Sequence, residues 1–143
     1  MKTALLTLAF GAMAGLAMAQ EAVTYNFAGS FEDAAFGVES AIVGEGLVID
    51  YVSHVGEMLI RTGADVGSDK VIFENADIFV FCSAVLSRKV MEADPMNIAH
   101  CPYGVFVAQQ GEAVTVGYRT YPDGPMQEVQ ALLDSIAKSA VSE

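Results

Sequence analysis

Residues 103–108 and 113–119 are two apolar-rich runs of opposite alternation, joined through Gln109-Gln110-Gly111-Glu112. A connection this short, containing a glycine that can take the positive φ of a tight reversal, specifies a β-hairpin. Antiparallel neighbours therefore lie at the heart of the fold. The rest of the chain is read around them. Residues 23–27 alternate loosely as a strand, and Ser30 caps a helix whose first turn carries Glu32 and Asp33, the charge sign a helix N-terminus favours. Phe31, Ala35, Val38 and Ile42 fall on one stripe of that helix, which Gly44 and Gly46 stop. Residues 47–55 read as a strand, 57–61 as a helical turn ending at Gly63, and 63–69 as a loop. Two further extended runs follow at 70–73 and 77–82, the second apolar enough to be buried on both faces. Ser83 caps a helix over 84–93 that Pro95 cannot continue, and the last helix opens at Asp123-Gly124-Pro125 with Met126, Val129, Leu133 and Ile136 on its apolar face. The order β-α-β-(turn)-β-β-α-β-β-α predicts an α+β fold, a mainly antiparallel sheet with helices packed on one face. Its predicted core includes Val38, Ile42, Val80, Phe106, Val116 and Leu133.

The N-terminus carries an address. Lys2 is the sole charge before the apolar run 4–18, and Ala17-Met18-Ala19 is the small-x-small pattern of a signal-peptidase site. Residues 1–19 are expected to be a signal peptide cut after Ala19, leaving residues 20–143 as a single periplasmic or secreted domain. The run is shorter than the roughly 20 residues of a spanning helix, so no membrane span is expected after cleavage. No cysteine lies near the cut to take a lipid.

With 17% charged residues and a mean hydropathy of +0.42, the chain has ample material for a core, which excludes disorder as its main state. Eighteen acidic against seven basic side chains, a formal charge of -11, would repel phosphate backbones and anionic membrane surfaces, so nucleic acid is excluded as a partner.

The run FCSAVLSRKVMEADP at 81–95, then AHCPYGVFV at 99–107 and VTVGYR at 114–119, resembles the prokaryotic domain of unknown function 302 family. The likeness extends over most of residues 25–119. In that family a strand ends in Cys, a helix follows, an acidic-Pro turn breaks it, and a Cys and Pro open the next strand; here these are Cys82, Asp94-Pro95 and Cys101-Pro102. Where the family often has Asn-Pro after the first Cys, this chain has Ser83-Ala84. The resemblance implies a TATA-binding-protein-like β-α-β(4)-α arrangement, no nucleic-acid binding and no established activity.

Chemistry is concentrated at Cys82 and Cys101. If the strands they flank are antiparallel neighbours, the two Cα atoms come within disulfide range, and export makes the bond available. Two separate buried thiols acting as small hydrophobes are a second reading. A third joins Cys82, His100 and Cys101, with Met91 and Met96 as weaker candidates, in a soft-ligand site suited to copper(I) or haem iron. The chain has no CxxC, CxxCH or HxxxH spacing, so the usual zinc, thioredoxin and covalent-haem signatures are absent. His54 shares a strand face with Asp50, but four residues separate them by roughly 13 Å, too far for a dyad, so a surface histidine is expected. GxSxG, GxGxxG and P-loop spacings are also missing, and no catalytic residue is expected. Tyr118, Arg119 and Tyr121 offer a surface for a ligand or partner, or a solvated strand edge.

Three functions follow. The first is a non-enzymatic exported domain binding a small ligand, a metal or a periplasmic protein. The second is a thiol redox or metal-handling protein using Cys82 and Cys101. The third is a structural module that pairs as a homodimer.

Overall fold

Five antiparallel strands in the order β1-β5-β4-β3-β2 make the sheet: β1 (Ala22–Phe27), β2 (Ile49–Ser53), β3 (Asn75–Phe81), β4 (Tyr103–Gln110) and β5 (Ala113–Arg119). They come from a computed structural model that describes residues 21–142, so the expected signal peptide and its cleavage site lie outside the described residues. The helices are α1 (Phe31–Gly44), α2 (Val55–Thr62), α3 (Ala84–Ala93) and α4 (Met126–Ser142), with short 3-10 turns at Ala64–Val66 and Pro95–His100. The architecture is the expected α+β fold with β-α-β(4)-α order, α2 and α3 being excursions between consecutive strands. No helix among the described residues is long and apolar enough to cross a membrane.

Local chemistry sets the boundaries. The Ser30 hydroxyl accepts from the Asp33 amide at 3.1 Å and caps α1, and Ser83 does the same for α3 through the Leu86 amide at 3.3 Å. Gln110 and Ala113 face each other across the hairpin, and Gly111 turns it at φ +59°, the sign a type II′ turn asks of its first central residue.

Alternation along the strands separates two faces. Phe79 and Phe81, Val105 and Val107, and Val114, Val116 and Tyr118 point to the side covered by α1 and α4, where Val38, Ile42, Leu133 and Ile136 meet them at 0% exposure. The two helices pack closely because Gly37 has no side chain: a Cβ there would lie 2.8 Å from the Ala140 carbonyl oxygen.

Three expectations change. Residues 70–73 form no strand, because β2 pairs directly with β3 and leaves no slot between them; Val71 and Ile72 are 64% and 44% exposed. Val55 begins α2 instead of ending β2. Phe106 is only half-buried, on the face opposite α1 and α4, while its neighbours Val105 and Val107 enter the core. Val80 is buried as expected but belongs to that opposite face, outside the main cluster.

Candidate functional site

Phe81, the last residue of β3, pairs with Tyr103, the first of β4, so the residues just beyond them leave the sheet side by side. Between them the chain makes one excursion through α3 and the 3-10 turn. Asp94 accepts from the Met96 amide at 2.9 Å, and the Asn97 side-chain amide donates to the Val90 carbonyl at 2.8 Å, tying the turn back to the end of α3. The Cys101–Pro102 peptide bond is cis. This geometry brings the Cys82 and Cys101 sulfurs to 3.2 Å, with both thiols unbonded. They sit at one end of two interior strands, not at a lateral edge of the sheet.

The two thiols are unequal. Cys82 is solvent-accessible, while Cys101 is half-buried and packs against the core. Lost hydration around the Cys82 sulfur is the largest influence pushing that thiol up to about 11, followed by the hydrogen bond and charge of Cys101 and the nearby Asp50 carboxylate. The Ser87 hydroxyl lies 4.0 Å from the Cys101 sulfur and 3.0 Å from the Tyr103 hydroxyl, whose own proton is held more tightly because the ring is buried. Behind this pair the rings of His100 and Tyr121 meet edge to face at 5.7 Å, and Tyr103 meets Tyr121 at 6.3 Å. Burial pushes the Tyr121 hydroxyl up to about 12. The Tyr121 hydroxyl and His100 Nδ1 are buried with no hydrogen-bond partner among the described residues.

The other candidates do not converge on the sulfurs. Met91 packs against the core and Met96 is 70% exposed. Among the described residues, no group of three or more His, Cys, Asp or Glu side chains could hold a metal ion. What the site presents is two sulfurs, which a movement of ~1.2 Å would bring to bonding distance.

His54 is half of a pair that the strand-face argument overlooked. Its Nδ1 lies 2.7 Å from Asp77 Oδ1, and that hydrogen bond raises its pKa. Asp77 is on the neighbouring strand, and antiparallel pairing sets the start of β3 beside the end of β2. Tyr118, Arg119 and Tyr121 form no common surface. Tyr118 and Tyr121 are buried, whereas Arg119 is exposed with its guanidinium 5.7 Å from the Tyr121 ring centroid.

The crystal structure of an uncharacterized conserved DUF302 protein from Bacillus stearothermophilus is similar, with a TM-score of 0.61 at 18% identity over 87% of this chain and 95% of that one. No curated protein matches. The family model for the domain of unknown function DUF302 matches residues 22–139, which run from the first residue of β1 into the last turn of α4, and the chain belongs to that family.

Proposed function

We propose that the protein is exported, loses residues 1–19, and serves in the periplasm as a non-enzymatic dithiol–disulfide protein in which Cys82 and Cys101 form one two-electron couple. The 3.2 Å approach of the two sulfurs carries this reading. Oxidation by a disulfide donor proceeds through a mixed disulfide. The second sulfur then displaces the donor, the Cys82–Cys101 bond forms, and the donor leaves as two thiols with the electron pair and both protons. Lost hydration and the neighbouring Cys101 hold the Cys82 proton on, so little of this thiol is thiolate at neutral pH and exchange through it is slow. That favours a stable couple over an enzyme that turns over disulfides. Two thiolates 3.2 Å apart also suit copper(I), which makes metal handling by the two sulfurs alone a second reading.

The experiment is thiol counting on protein taken from the periplasm, alkylated under denaturing conditions before and after reduction, with N-terminal sequencing. The expected result is a chain beginning at Gln20 with no alkylated cysteine before reduction and two after it. One equivalent of copper bound by the reduced protein, and lost in Cys82→Ser and Cys101→Ser, would select the second reading. Two free thiols and no metal would overturn both.

A further inference from the structure

Among the described residues, no helix covers the middle of the sheet face opposite α1 and α4, where Ile78 and Phe106 are half-buried, and that face is shaped. Near the start of β3, Val55 of α2 and Phe73 wall a depression of about 360 Å³ floored by Ile78, Phe106, Ala108 and Thr115. Towards the other end of the strands lies a second depression of about 340 Å³, bordered by Tyr51, Pro102 and Arg119. Ile78 and Phe106 line both, so the two depressions adjoin across these side chains as a shallow trough. Glycines set its contour. A Cβ at Gly117 would lie 2.5 Å from the Phe106 ring, and one at Gly104 would lie 3.1 Å from the Ile78 side chain, so both apolar side chains lie down against bare backbone. Volumes of this size fall within the about 300–1,000 Å³ of small-molecule sites.

Charge on this face is as selective as its shape. Outside the β2 bulge at Asp50, the strand residues that alternate onto it carry a single charge, Arg119, in a chain with 18 carboxylates. Asp77 borders the far depression with its carboxylate engaged by His54. Arg88, Lys89 and Lys138 are each held by a carboxylate at 2.7 to 2.9 Å, whereas Arg119 has none within ion-pair reach among the described residues. Arg119 and Thr115 share this face of β5 four residues apart, about 13 Å at strand rise, and the line between them passes Gly117 and the Phe106 ring.

From this arrangement we propose that the open face binds a free long-chain carboxylate, its head on the Arg119 guanidinium and its alkyl chain along Phe106 and Ile78. A walled trough with one cation at one end that no carboxylate among the described residues engages complements a single amphiphilic anion. A second copy of this chain would bring an equally positive Arg119 and a wall of its own. The proposal is independent of the thiol reading, since none of the residues it uses is Cys82 or Cys101.

The test is calorimetric titration of the mature chain with dodecanoate below its micelle concentration, beside dodecanol and dodecyltrimethylammonium. Dodecanoate should bind one to one, with dodecanol and the ammonium at least about tenfold weaker, the scale of one charge-assisted pair. Arg119→Gln, at an exposed position, should fold normally and lose that preference while keeping the affinity for dodecanol. Ile78→Asp should abolish binding of all three, with far-UV dichroism confirming that it folds; if it does not, Ile78→Ala should weaken all three by the same factor. Equal affinity for the three amphiphiles would overturn the proposal. So would a dimer by light scattering that dissociates in Ile78→Asp and binds no dodecanoate, or binding only to anionic vesicles.

Discussion

Asp134 ties the last helix to both strands at the β1 side of the sheet, and its removal gives a measurable test of how the fold is held. From α4 its carboxylate accepts the hydroxyls of Tyr25 on β1 and Tyr118 on β5, the latter at 2.7 Å, and pairs with Lys138 at 2.7 Å one turn on. Tyr118 is 2% exposed, so its hydroxyl loses a charged acceptor at a largely dehydrated position when Asp134 goes. A hydrogen bond to a charged group contributes about 1.5–3 kcal/mol, and a stranded buried donor costs a similar amount. Asp134→Ala should therefore destabilise by about 3 kcal/mol, or ~12 °C in a domain of this size. The hydrogen bond from Lys138 above all, then those from Tyr25 and Tyr118, hold the carboxyl at about 2, below its ordinary 3.8. Because the folded value is depressed, the stabilisation is present above pH ~4 and is lost as pH falls towards 2, amounting to at most about 2 kcal/mol after discounting for the partly exposed carboxylate. Urea unfolding followed by far-UV dichroism at pH 6, 4, 3 and 2 should show the gap between the natural protein and Asp134→Asn closing across that window. A gap that stays constant from pH 6 to pH 2, or an Asp134→Ala variant within about 0.5 kcal/mol of the natural protein, would refute the reasoning.

Gly117→Ala should cost about 2 kcal/mol or more by urea unfolding, because the new Cβ would sit 2.7 Å from the Val23 carbonyl oxygen as well as against the Phe106 ring, and backbone cannot move aside as a side chain can. With the two cysteines 19 positions apart, closing the bond should stabilise by about 3 kcal/mol on the chain-entropy model; the oxidised protein should exceed Cys82→Ser by that amount in urea, and the difference should vanish under reductant. His54 should titrate above the ordinary histidine value by NMR and return to it in Asp77→Asn, since the hydrogen bond to Asp77 raises it. The sign follows: that contact contributes below the unfolded pKa of about 6.5 and is lost as pH rises through the raised folded value.

Features decided by neighbours in sequence are legible in the sequence, and features decided by neighbours in space are not. Ser30, Ser83 and Gly111 act through amides and turns within three residues, and each does what its type and position foretold. The cysteine contact is a borderline case. It was readable only as a conditional, because strand, helix and strand return the chain to its starting level while the sequence does not say which strands pair. Residues 70–73 have the composition of a strand but not the partner, and composition cannot show that β2 had already taken the side of β3. Asp134 was invisible for the same reason: Tyr25 and Asp134 are 109 residues apart, and nothing local marks either as polar partner to the other.

Phe106 shows where a finer reading of the same strand would have succeeded. Tyr103 to Ala108 is apolar at nearly every position, so hydrophobicity alone assigns no face, and burial was expected of Phe106 as of its neighbours. The glycines break that degeneracy. Gly104 lies two residues from Phe106 and Gly117 faces it directly on β5, so both share its face, and a face that carries glycine at successive levels does not present a full layer of side chains to a helix. Val105 and Val107, alternating with these positions, must then be the ones that meet α1 and α4, as they do at 0% exposure. The face left over is apolar because Ile78 and Phe106 occupy it, shallow because Gly104 and Gly117 do, and almost uncharged in an acidic chain. The same alternation that gives one side its core thus leaves the other an apolar trough ending at Arg119.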